Sequence, residues 1–191
     1  QSFEQTRDVV AMLRAANVRS LNMDILYGLP HQTRERLADS VQRVLSLNPD
    51  RVALYGYAHV PWMAKRQVMI PGDALPDAEA RLDLFNTARE LFLWDGYREI
   101  GIDHYARPDD SLARAADDGR LRRNFQGYTD DTSEVLIGLG ASAISRYPQG
   151  FAQNVSASSR YATAIENGGL ATERGHQMKG DDALRSQMIE D

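Results

Sequence analysis

Apolar positions recur with two periods along this chain. Phe3, Val9, Val10, Met12 and Leu13 return at helical spacing, which predicts an amphipathic helix over 3–16. The run from Ser20 to Tyr27 reads as a short strand that stops at Gly28-Leu29-Pro30. Thr33 stands where it can cap a helix over 34–46, whose apolar face carries Leu37, Val41, Val44 and Leu45. Asn48-Pro49-Asp50 breaks the chain before a second strand over 51–57. A long connection holding Pro61, Pro71, Gly72 and Pro76 leads to a helix over 77–94, closed by Gly96. Residues 97–102 predict a third strand and 109–118 a short helix. A fourth strand is expected around Leu136–Leu139, kinked at Gly140. The last clear helix covers 156–167 and ends at Gly168-Gly169, and a further one starts near Asp181.

Alternation of strand and helix implies parallel strands joined by right-handed crossovers. The predicted class is therefore α/β, with parallel βα units forming part of an incomplete, partial TIM-type barrel. Four such units make half a closed eightfold barrel, and an open doubly wound sheet is the structural alternative. No internal repeat or low-complexity segment divides the chain, which is long enough for one sizeable core or a large piece of an α/β barrel. Both ends look cut, which suggests a piece of something longer.

Composition narrows the function. Hydrophobic residues make up 42% and charged residues 26%, as in an ordinary globular protein. The formal charge of −5 supplies no basic field, and Arg120-Leu121-Arg122-Arg123 is too short to replace one, so no nucleic-acid partner is expected. No apolar stretch is long enough to cross a bilayer and no signal-peptide pattern opens the chain, so a cytoplasmic protein without a membrane partner is expected. With no cysteine, the chain as given forms no disulfide and supplies no thiolate to zinc or iron.

In barrels of this kind ligands bind at the C-terminal ends of the strands. Those ends carry Asp24 and Tyr27, then Tyr55, Tyr57, Ala58 and His59, then Asp103, His104, Tyr105 and Arg107. Three of the four histidines, His31, His59 and His104, fall just past a strand or in the loop after one. Asp24 lies inside an otherwise apolar strand, so it is expected to be a buried partner of a backbone group or a ligand contact. His59 either anchors its loop or acts on a ligand, and Arg107 either starts a helix or faces a substrate carboxylate. Asp103, His104 and His59 do not form a tight ligand set in sequence, so no metal site is assigned, although a metal-dependent hydrolase on a barrel stays open as a minor reading. Arg123-Asn124-Phe125-Gln126-Gly127-Tyr128-Thr129 mixes amides, aromatics and glycine in a loop setting, a composition suited to facing a ligand. There is no dinucleotide fingerprint, P-loop or nucleophile elbow.

Five segments together resemble the oxygen-independent coproporphyrinogen III oxidases. They are Asn22–Pro30, Tyr57-Ala58-His59-Val60-Pro61, Gly101–Pro108, Arg123–Thr129 and Gly140-Ala141-Ser142-Ala143-Ile144-Ser145. The resemblance runs in order from Asn22 to about Asn154. The Asp-Ile-Leu-Tyr-Gly-Leu-Pro element is shared with relatives, whereas Asn-Phe-Gln-Gly-Tyr-Thr separates the oxidases from haem-chaperone-like proteins, which carry an Asn-x-Gly-Tyr-Trp type there.

The resemblance implies a radical S-adenosylmethionine enzyme of haem biosynthesis acting on coproporphyrinogen III. A 4Fe–4S cluster held by Cys-x-x-x-Cys-x-x-Cys cleaves S-adenosylmethionine, and the resulting radical takes a hydrogen from a propionate. Loss of carbon dioxide and one electron leaves a vinyl group, twice, giving protoporphyrinogen IX. Two S-adenosylmethionine sites belong to this picture. Asp24, Ala58 and Ile144 match its contacts to S-adenosylmethionine, and Phe125 and Gln126 resemble residues lining the second site. His59, His104 and Arg107 are candidates for a tetracarboxylate substrate that needs cationic or donor groups. On this resemblance residues 1–191 are the C-terminal portion of the partial-barrel catalytic domain, with the cysteine motif, the early strands and a small C-terminal domain lying outside this chain. The chain is therefore expected to be a central segment, well under half of the enzyme, inactive alone and prone to self-association through its strand edges, while the parent is a monomer. The alternative is a chaperone-like relative that binds haem without oxidase activity.

Overall fold

The computed structural model describes residues 2–190. The chain forms two compact units, Gln1–Leu121 and Arg122–Asp191.

In the first unit, helix α1 (Phe3–Ala15) begins in a capping box in which Gln5 N–H donates to Ser2 Oγ and Ser2 N–H to Gln5 Oε1. It leads into β1 (Asn22–Tyr27), and α2 (Arg34–Ser46) crosses over to β2 (Arg51–Gly56). The hydroxyl of Thr33 caps α2 by accepting from Arg36 N at 3.3 Å. Two short 3₁₀ turns (Lys65–Met69 and Gly72–Ala74) precede α3 (Ala78–Trp94), capped by Asp77. Strands β3 (Arg98–Ile100) and β4 (His104–Ala106) and helix α4 (Ser111–Asp117) complete the unit.

The sheet order is β1-β2-β4-β3, and only β1 and β2 are parallel. β4 runs antiparallel to both of its neighbours. This corrects the expected succession of parallel βα units. The expected strand over 97–102 is instead split by a turn at Gly101-Ile102-Asp103, where Gly101 takes φ +62° and reverses the chain into a hairpin. The structure is mixed α/β, with one crossover rather than four.

One face of this sheet is covered. Ile25, Val52, Leu54 and Tyr105 pack beneath Leu37 and Val41 of α2 and Leu84, Ala88 and Phe92 of α3. Val52, Ala53 and Leu54 are all buried in succession, as a central strand requires. Tyr97 is buried here too, its hydroxyl donating to Pro49 O at 2.5 Å. Burial pushes its phenol up to about 12 and raises Tyr105 as well, also by burial. Both are held as neutral phenols in the fold. Their contribution is whole below the unfolded tyrosine value of about 10 and is lost as pH climbs from there toward 12. In an alkaline titration followed by ultraviolet absorbance, two of the eight tyrosines should ionise late and together with loss of ellipticity. Eight tyrosines ionising near pH 10 with the fold intact would contradict this.

The second unit is built from antiparallel strands. β5 (Arg122–Asn124) and β6 (Gly127–Thr129) form a hairpin, and β7 (Ile144–Tyr147), β8 (Gly150–Asn154) and β9 (Thr172–Gln177) form a sheet in that order. α5 (Ser158–Glu166) connects β8 to β9, and α6 (Asp182–Glu190) follows. The strand expected around Leu136–Leu139 is not formed; only Leu136 pairs, with Arg146. Gly140 at φ +106° and Ser142 at φ +62° bend the chain away, and the Asn154 amide donates to the carbonyls of Gly138 and Gly140. The paired strand begins later, at Ile144. No described helix is long and apolar enough to cross a membrane.

Candidate functional site

In the first unit the chemistry gathers on the sheet face turned away from α2 and α3, where Asp24 is exposed while Ala53 is buried and His104 nearly so. Asp24 of β1, Ala53 of β2 and His104 of β4 stand in one cross-strand row. Of the two readings of Asp24, the buried partner of a backbone group is corrected: it is exposed, and its carboxylate accepts from the Asn22 amide at 2.7 Å. Alternation explains this, because Ile25 takes the core side and its neighbour must face outward. Beside Asp24 on the same face, Leu26 and Tyr55 are exposed. The His104 ring meets that of Tyr55 edge-on, with centroids 6.0 Å apart, and its Nδ1 lies 2.7 Å from Asp103 Oδ1.

The ends of β1 and β2 are shaped by side chains that pattern reading misses. The guanidinium of Arg81, in the first turn of α3, donates to Tyr57 O at 2.7 Å and lies over the Tyr27 ring. A Cβ at Gly28 or Gly56 would come within 3.0 or 2.9 Å of its nitrogens, so these two glycines give Arg81 its place. The Gln32 side chain accepts from Gly28 N and donates to Leu26 O, fixing the Gly-Leu-Pro turn. Gln67 donates to Ala58 O at 3.1 Å and accepts from Val60 N at 2.6 Å. These bonds hold Ala58 exposed at the strand end with its carbonyl already engaged. His59 lies 3.2 Å from the Tyr57 hydroxyl through Nδ1. Glycines at both strand ends were the one visible sign of Arg81; nothing in the pattern marked either glutamine.

Asp24 and His104 thus belong to the face away from α2 and α3, and Ala58 and His59 follow the end of β2. Arg107 does neither. It lies past the end of β4, level with the start of β2, with its ring contact on Tyr97 at 4.2 Å and donations to Asp95 O and Asn48 Oδ1. The reversal at Gly101 carries it there, where its guanidinium is engaged by Asp95 and Asn48. Among the described residues no group of three histidine, aspartate or glutamate side chains could hold a metal ion.

In the second unit the Asn124–Thr129 segment is the tip of the β5–β6 hairpin rather than a loose loop. Asn124 Oδ1 accepts from Gln126 N at 2.8 Å and Gly127 N at 3.2 Å, which closes the turn and lifts Phe125 and Gln126 outward. Arg123 stacks on Tyr128 across the hairpin. The Phe125 ring meets Phe151 of β8 edge-to-face, with centroids 5.7 Å apart at 89°. Phe125 and Phe151 line a cavity of about 400 Å³ with Ile144, Ala152, Gln153, Arg174 and His176. That volume falls within the range of small-ligand sites. Ile144, expected with Asp24 and Ala58, and Phe125, expected at the second S-adenosylmethionine site, line this one cavity, while Gln126 is exposed next to Phe125 at the hairpin tip. Phe151, Arg174 and His176 were not anticipated; β9 carries no apolar residue to mark it as a strand.

Comparison with known proteins gives a consistent result. No family model matches the chain. The oxygen-independent coproporphyrinogen III oxidase of Paracoccus denitrificans is 65% identical over 190 residues, covering 100% of this chain and 42% of the relative. Its counterparts in Cereibacter sphaeroides and Pseudomonas aeruginosa are 58% and 43% identical over the same number of residues. Among solved structures, coproporphyrinogen III oxidase from Escherichia coli, described as a radical SAM enzyme, superposes with a TM-score of 0.87 at 38% identity. It is matched over 100% of this chain and 44% of that one. The chain spans less than half the length of the relatives it matches.

Proposed function

Since the chain belongs to the oxygen-independent coproporphyrinogen III oxidase family, we propose that its parent protein decarboxylates two propionates of coproporphyrinogen III oxidatively, giving protoporphyrinogen IX in haem biosynthesis. The observation that carries this reading is identity of 65% sustained along the whole chain to a protein of that name. The other relatives compared carry the same name, and nothing favours a haem-chaperone role. The single parallel β1-α2-β2 pair with helices on one face supports placing the first unit in an incomplete barrel. A cytoplasmic setting is part of the same proposal.

S-adenosylmethionine supplies the radical chemistry when bound, and the protein orients it. Asp24 is suited to accept hydrogen bonds from its ribose hydroxyls, and exposed Ala58 lets the backbone approach it. Ile144 and Phe125 offer apolar walls of one cavity, with Gln126 as an amide beside it. His59 and His104 are proposed for the substrate. The 4Fe–4S cluster does not fit any residue here, because the chain has no cysteine.

The test is anaerobic turnover by the full-length parent, with S-adenosylmethionine and a reductant, read as protoporphyrinogen IX. Asp24→Ala should lower kcat/KM for S-adenosylmethionine about tenfold, the cost of charge-assisted hydrogen bonds at an exposed carboxylate. Wild-type protein that binds coproporphyrin yet releases no product would sink the oxidase reading.

A further inference from the structure

The sheet of the second unit is registered so that Ile144, Gln153 and Arg174 form one cross-strand row. Arg146, Phe151 and His176 form the next but one along the same strands. Residues two apart on a strand share a face, so both rows present their side chains to the same side. That side is an apolar floor bordered by cationic groups. Arg174 Nε donates to Gln153 Oε1 at 2.8 Å, which lays the side chain along the cavity edge. Its terminal guanidinium nitrogens make no hydrogen bond to a described residue. The neighbouring acid, Glu173, belongs to the opposite face and pairs with Arg160 at 2.9 Å. On this side Asp182 of α6 lies 3.5 Å from His176.

Arg174 is exposed, and a guanidinium with an open fork at the rim of an apolar cavity can receive a planar anion. We propose that Arg174 is the carboxylate-recognising group of this cavity. The assignment rests on the reading that Phe125 and Ile144 face a ligand. A cavity of about 400 Å³ takes one arm of a large ligand rather than a whole tetrapyrrole. Both ligands of the proposed reaction carry such an arm: the methionyl carboxylate of S-adenosylmethionine and the propionates of the substrate.

The experiment uses the full-length, cluster-loaded parent under anaerobic conditions and reads equilibrium binding. The probes are coproporphyrin III and its tetramethyl ester, and S-adenosylmethionine and its decarboxylated analogue. Arg174→Gln should weaken binding of one acid about tenfold and leave its carboxylate-free counterpart unchanged, with Arg174→Lys recovering part of the loss. Loss confined to coproporphyrin III assigns the arm to a propionate; loss confined to S-adenosylmethionine assigns it to the methionyl group. Equal loss for an acid and its carboxylate-free partner, or no loss for either acid, overturns the proposal. Wild-type protein that binds neither ligand overturns the underlying reading instead.

Discussion

Gly150→Ala should unfold the second unit and abolish activity of the parent enzyme. Gly150 opens β8 at φ +150°, a conformation closed to residues with a Cβ, and it pairs with both Tyr147 and Gln177. A methyl group there would overlap the His176 carbonyl, which is backbone and cannot rotate aside. Strain in a sparsely populated backbone region and overpacking together cost about 3 kcal/mol or more. A unit this small rarely holds much more than that in reserve. Relief requires β9 to move away, which dissolves the Phe151–His176 pairing and the cavity with it. The check is hydrogen exchange of the β8 and β9 amides, with Gly72→Ala as control, since nothing lies within 4 Å of a Cβ built there. Unchanged protection in Gly150→Ala would refute the prediction.

Phe125→Ala is expected to weaken S-adenosylmethionine binding by the parent about 100-fold while leaving its melting temperature nearly unchanged. The ring sits at a hairpin tip and is 42% exposed, so little of the fold depends on it. What it supplies is an apolar wall and an edge-to-face contact with Phe151. Covering an aromatic ring with ligand is worth about 2–3 kcal/mol, in line with a 100-fold change. The turn survives, because it is closed by Asn124 and Gly127 rather than by the ring. Phe125→Trp should stay within a few-fold of wild type. Calorimetric titration of both variants decides the matter, and an unaltered affinity in Phe125→Ala would remove Phe125 from the cofactor site.

Much of the first unit was legible in its sequence. The boundaries of α2 and its Thr33 cap coincide with expectation to the residue, and α3 begins one residue after its predicted start. The first two strands were located correctly within a residue or two. Less of the second unit could be read. β9 is Thr-Glu-Arg-Gly-His-Gln, exposed along its whole length, so no apolar alternation announces it. The run Val135–Leu139 has the strand composition and yet stays largely unpaired, with Leu136 bonded to Arg146, Gly138 N to Ser145 Oγ and Gly138 O to the Asn154 amide. At the candidate site, the histidines and Asp24 could be picked out by residue type. Arg81, Gln32 and Gln67 could not, because a cation in a first helical turn and a glutamine in a loop look ordinary until their distant carbonyl partners are known.

By itself the sequence determined where helices start and stop, which residues favour the core, and which family the motifs resemble. Those properties depend on interactions within about four residues along the chain. Only the tertiary structure decided strand direction, the face each side chain takes and what it meets there. Three consequences turn on such long-range pairing. The hairpin at Gly101 sends Arg107 to the far end of the sheet. Strand alternation turns Asp24 outward. The registry of β7, β8 and β9 sets Arg174 beside Phe125 and Ile144, residues that lie up to 49 positions away in the chain yet line one cavity.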